Sequence, residues 1–148
     1  MDIFRIIYSW FYKIYNVHLF DYLKGDDCDG FFVGPDHFRT IGPNMIITSL
    51  LVVIIYYYVI DHPRFNRWWS WLIMLFISGA INFTSGFSYV YNRLYGGQID
   101  ECFIEAANMS TGNCFSFGFT NALIGTIFFF IFSMIIKWWS DNSKYSPF

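Results

Sequence analysis

Long apolar stretches alternate with polar ones along this chain, and three of the apolar stretches are each long enough to cross a bilayer. Residues 117–136 (FGFTNALIGTIFFFIFSMII) form twenty positions without a charge, apolar nearly all the way round. At about 1.5 Å per helical residue such a run matches the ~30 Å hydrocarbon layer of a bilayer. Lys137-Trp138-Trp139 follows, a cation and two indoles of the kind that sit at headgroup level. A second run begins at Asn44 and continues to Ile60, with Pro43 at its first turn and Asp61-His62-Pro63 ending it. The third opens on Trp68-Trp69-Ser70-Trp71, an aromatic anchor, and carries no charge before Arg93. The pattern predicts transmembrane helices over 43–60, 68–91 and 117–137. The short link at 61–67 makes the first two antiparallel neighbours.

Residues 3–23 read differently. Ile3, Ile7, Trp10, Ile14 and Val17 fall on one face at helical spacing, and Arg5, Ser9, Lys13 and Asn16 on another. This is either an amphipathic helix in the membrane interface or a fourth crossing with its polar stripe turned inward. Lys13 near the middle counts against an unassisted crossing, at about 2.5–3.5 kcal/mol on insertion scales. Residues 24–42 are rich in Gly, Asp and Pro and read as loop, as does the polar stretch 92–116. The tail, 138–148, is short and polar. The expected fold is therefore an all-α integral membrane protein. It is a small antiparallel helical bundle forming one membrane domain over 1–148.

Composition and charge add a side to each loop. Aromatic residues make up 24% and charged residues 14%, and mean hydropathy is +0.39, all outside the range of an ordinary water-soluble domain. A net charge of −2 gives no basic field for nucleic acid. No leader pattern stands at Met1-Asp2. Arg64, Arg67, Lys137 and Lys144 flank one side of the spans, against Arg39 and Arg93 close to the other. Basic residues near span ends decide orientation. The 61–67 link and the C-terminus are thus expected in the cytoplasm of a cell (inner or plasma) membrane. If residues 3–23 also cross, Arg5 stays inside and every bias agrees, which favours four crossings.

On that topology Cys28, Cys102 and Cys114 all face the exoplasmic side, where disulfides persist. A bridge between Cys102 and Cys114 would staple one loop, and Cys28 has the alternative of pairing with either. A thiol oxidoreductase using these cysteines would want a Cys-x-x-Cys, and the chain has none. Within the spans, Ser78, Asn82, Ser85 and Tyr89 form one stripe, Gly118, Ala122 and Thr126 another with Asn121 and Gly125 alongside, and Asn44 and Thr48 a third. Small residues let helices approach, and amides hydrogen-bond between them. The sharper reading of Asn44, Thr48, Ser78, Asn82, Ser85, Asn121 and Thr126 is a hydrated lining open to the outside, with Lys13 an intramembrane charge if the first helix crosses. No Asp or Glu falls within a predicted span, which argues against a proton- or cation-coupled carrier.

Other chemistry is thin. Asp26, Asp27, Asp29 and His37 match no calcium-loop spacing and read as a solvated acidic loop. Asn108-Met109-Ser110 is a glycosylation sequon, and Asn82-Phe83-Thr84 fits the same pattern at bilayer depth. No catalytic residue, metal ligand or cofactor site emerges. The expectation is a non-enzymatic subunit of a membrane complex, an oligomer with itself or with other membrane subunits, one form being a channel or pore. The alternatives are the thiol oxidoreductase and a membrane-anchored binding module with acidic exoplasmic loops.

Overall fold

A computed structural model describes residues 3–59 and 68–139. The 61–67 link and residues 140–148 of the tail, with Arg64, Arg67 and Lys144, lie outside the described residues. Every element is helical: α1 (Ile3–Ser9), α2 (Tyr12–Tyr15), α3 (Val17–Lys24), α4 (Phe38–Ile54), α5 (Trp68–Tyr95), α6 (Glu101–Ala107) and α7 (Thr111–Trp139). A π-helical turn, Ile55–Val59, continues α4.

Three of these helices are long and apolar enough to cross a membrane: Phe38–Tyr58, Trp68–Tyr95 and Thr111–Lys137. All three begin or end in polar sequence beyond the apolar run. Helix α4 starts five residues ahead of Pro43, which sits inside it. Proline there lacks only one backbone donor, and the flanking turns carry the helix past it. Helix α5, 28 residues, is about 42 Å long and therefore overhangs a ~30 Å hydrocarbon layer by more than two turns.

The N-terminal stretch is not a fourth spanning helix. It breaks after Ser9 and again at Asn16, whose φ of 93° reverses the chain. With ψ at 135° Asn16 lies outside both helical regions, and its side chain accepts a hydrogen bond from the His18 amide at 3.1 Å, opening α3. Helical spacing had recorded the period across these breaks without recording continuity. Lys13 lies exposed on α2, outside any span.

The pieces form a cap over one end of the bundle. Tyr8 is fully buried between Phe38 and Phe117, with ring centroids at 4.9 and 5.8 Å, and Tyr15 meets Phe117 edge-on at 5.2 Å. Arg5 pairs with Asp36 at 2.7 Å. Helix α3 packs on α6. Cys28 and Cys102 lie at disulfide-bonding distance with Cα atoms 6.4 Å apart. The staple therefore joins the loop after α3 to α6, in place of the expected Cys102–Cys114 bridge. Cys114 is free and fully buried in α7.

Candidate functional site

Two polar clusters hold the bundle together, and the first rests on a repeated motif. Helices α5 and α7 run antiparallel, and each carries an asparagine four residues before a glycine: Asn82 and Gly86, Asn121 and Gly125. Each amide sits over the other helix's glycine. A Cβ on Gly125 would come within 2.7 Å of Asn82 Cγ, and one on Gly86 within 2.8 Å of Asn121 Cβ. Only a residue without a side chain allows this approach. Asn121 Nδ2 donates to the Asn82 carbonyl at 2.7 Å. Asn82 Nδ2 donates to Ser49 Oγ on α4 at 3.1 Å and to the Ser78 carbonyl at 3.0 Å. Ser49 Oγ donates to the Gly125 carbonyl at 3.1 Å, so all three long helices join. Tyr8 closes the cluster from the cap by donating to Asn121 Oδ1. Asn82 Oδ1 and Ser78 Oγ are buried without a partner among the described residues.

The second cluster lies at the opposite end of the bundle. Ser133 of α7 accepts from Trp71 Nε1 at 2.9 Å and meets Tyr57 OH at 2.8 Å. Trp71, grouped by the sequence with the interfacial anchor, is 5% exposed and belongs to this junction, whereas Trp68 and Trp69 face outward. Ser49, Tyr57, Ser133 and Tyr8 escaped the sequence reading because a lone hydroxyl in an apolar run carries no spacing signal.

The expected polar stripes thus divide. Ser78, Asn82 and Asn121 are buried between the protomer's own helices. Thr126 is half-buried and donates to the Ala122 carbonyl. Asn44 is exposed on the bundle's flank, where it donates to Ser85 Oγ at 3.3 Å. Thr48 donates to the Asn44 carbonyl on the same flank. Beside them Ala80, Ile81, Thr84, Ser85 and Ser88 of α5 line an open groove of about 460 Å³.

A cavity of about 290 Å³ lies under the cap, lined in part by Asp26, Asp27, Asp100, His37 and Arg93. Its floor is ordered. His37 Nδ1 lies 3.1 Å from Tyr89 OH, and Tyr22 OH donates to the Gln98 carbonyl at 3.1 Å. Arg93 donates to Tyr22 OH at 3.4 Å and lies 4.9 Å from the Tyr89 ring centre. Burial, helped by Arg93 and opposed by Asp36, holds the His37 imidazole below its ordinary pKa. Asp26 pairs with Lys24. Among the described residues no group of three His, Cys, Asp or Glu is placed to hold a metal ion. No protein-family model, curated protein or solved structure matches this chain.

Proposed function

We propose that the chain is a multi-pass membrane protein acting as a non-enzymatic subunit of a membrane assembly. The observation that carries this reading is the polar flank of α4 and α5. Asn44, Thr48, Thr84, Ser85 and Ser88 stand at bilayer depth on the outside of the bundle, beside the Ala80 groove. Thr48 and Thr84 donate within their own helices, and Asn44 donates to Ser85. Their acceptor sites and the rest of the Asn44 amide are left to a neighbouring helix that fills the small-residue groove and bonds to its rim, as lipid tails cannot. The partner is a transmembrane helix, from a second copy or from another subunit. Ser78, Asn82 and Asn121, which a pore would want at its axis, are spent inside the protomer, so the assembly reading does not depend on a pore.

We assign the cap to the exoplasmic side and the C-terminus to the cytoplasm. The bias of Lys and Arg near the span ends supports this, as does the Cys28–Cys102 pairing, since such bridges persist in oxidising compartments. The test is mass measurement of the complex extracted in mild detergent, comparing the natural chain with Thr84→Phe, which fills the groove. A larger species that Thr84→Phe dissociates supports the reading. A natural chain that is monomeric in both detergent and nanodiscs overturns it.

The under-cap cavity favours a second reading, a membrane-anchored binding module. Asp27 and Asp100 on its rim suit a basic group of a partner. Capture that survives Asp27→Asn with Asp100→Asn would remove this reading.

A further inference from the structure

The outward face of the N-terminal segment is apolar and uncovered. Ile3, Ile6, Trp10, Ile14 and Val17 are 70, 36, 77, 48 and 44% exposed, while Tyr8 and Tyr15 on the inward face are buried. A water-facing cap would not keep such a row. The height of the segment relative to the spans explains it.

The junction of Tyr57, Trp71 and Ser133 sets Tyr58, Trp68 and Lys137 within about a turn of one level, the cytoplasmic boundary. Phe38 stands twenty residues from Tyr58 along α4, and Phe117 twenty residues from Lys137 along α7. Both rings therefore lie about 30 Å above that level, at the far edge of the hydrocarbon layer. Tyr8 packs against both rings, and its hydroxyl reaches down to Asn121 and Met45. Phe4 lies on Gly42, a turn below Phe38. Helices α1 and α2 thus lie across the bundle just inside the outer edge. Ile47 of α4 and Phe119 of α7, within the spans, are likewise exposed, at 55 and 54%.

The charges of the segment agree with that depth. Arg5 is neutralised by Asp36, whose side chain is 4% exposed. Lys13 is exposed at the rim, where its stem can carry the ammonium to the phosphates. The Arg5 guanidinium lies 5.5 Å from the Phe32 ring centre, tying the exposed Phe31-Phe32-Val33 to the same edge. We infer that α1, α2 and the first residue of α3 form a monotopic collar in the outer leaflet, with Ile3, Ile6, Trp10, Ile14 and Val17 among acyl chains and Lys13 at headgroup level. This inference rests on the reading that the three long helices cross a bilayer.

The test uses the full chain at one copy per phosphatidylcholine nanodisc, with a nitroxide attached in turn to Trp10→Cys and Ile14→Cys. Phe119→Cys reports a span and Gln98→Cys reports water. Collision with oxygen, which dissolves in lipid, is compared with collision with a water-soluble nickel chelate. The oxygen-to-nickel ratio at positions 10 and 14 is expected to match that at 119 and to exceed that at 98 several-fold. A ratio at both positions equal to that at 98 overturns the collar. Protection from both reagents also overturns it, because protein and not lipid would then cover the face. A position 119 that itself resembles 98 would instead sink the bilayer reading on which the collar stands.

Discussion

The bundle and the cap are built from the same apolar-rich sequence, yet they are held by different means. Between α5 and α7 aromatic pairs, Trp71 with Phe129 and Phe87 with Phe115, flank a seam whose contacts are glycines, amides and hydroxyls: Gly86 under Asn121, Gly125 under Asn82, Ser49 and Ser133 bridging to other helices. In the cap they are large rings, an ion pair and a disulfide: Tyr8 on Phe38 and Phe117, Arg5 on Asp36, Cys28 beside Cys102. On the membrane reading proposed above, the contrast follows from the surroundings. Helices among lipid tails gain little by hiding leucine from leucine, so close approach and hydrogen bonds must hold them. A segment at the edge of water gains by burying aromatics and needs a covalent clip, because its helices are too short to persist alone.

The strongest way to break the contrast is to remove the clip. The pair spans 74 residues of sequence, a loop whose closure is worth about 4 kcal/mol on the chain-entropy model. Cys28→Ser is expected to open residues 18–37 to protease while leaving the spans protected. Equal loss of protection in both regions would show that they are not held independently. Next comes Gly125→Leu, which forces a side chain against Asn82 and is expected to cost about 3 kcal/mol in the bundle. Thermal unfolding in detergent measures it, and the disulfide should survive.

Asn82→Leu removes the bonds to Ser49 and the Ser78 carbonyl, an expected loss of about 1–2 kcal/mol. Phe83→Leu, beside it but only half-buried, should cost less. Equal losses would remove the reason to single out the amide. The smallest effect is acid sensitivity of the cap. His37 sits in the fold below its ordinary value near 6.5, so the unfolded chain takes up the proton first. Stability is therefore full above that value and declines as pH falls below it. His37→Gln should flatten the decline when melting is followed between neutral pH and about 5.

The three spans were legible because a charge-free run of bilayer length is a strong signal, and 68–91 reappears within Trp68–Tyr95. Their ends were not. Thr111 to Ser116 is mostly polar, yet it begins α7, since Cys114 within it is buried in the same core as Tyr8 and Tyr15. Residues 92–116, read as loop, hold the end of α5 and all of α6 for the same reason. The first helix failed as a continuous element because Asn16 looked like one more polar position in a helical period. Asn82 and Asn121 stand out in the sequence as amides within apolar runs and are buried in the fold, but which helix faces them depends on register. The pairing of Cys28 with Cys102 needed tertiary placement, because three cysteines leave the choice open.

The reciprocal amide and glycine pairs act as a vernier between two rods. Sliding α7 by one turn, about 5.4 Å, would set Asn82 against Phe129 and Asn121 against Val90. A slide the other way would press Gly86 onto Phe117. A single vertical offset therefore satisfies both marks. Since Arg93 near the end of α5 lines the under-cap cavity and Phe117 of α7 carries Tyr8 and Tyr15, the seating of the cap is gauged from the amide–glycine seam below it.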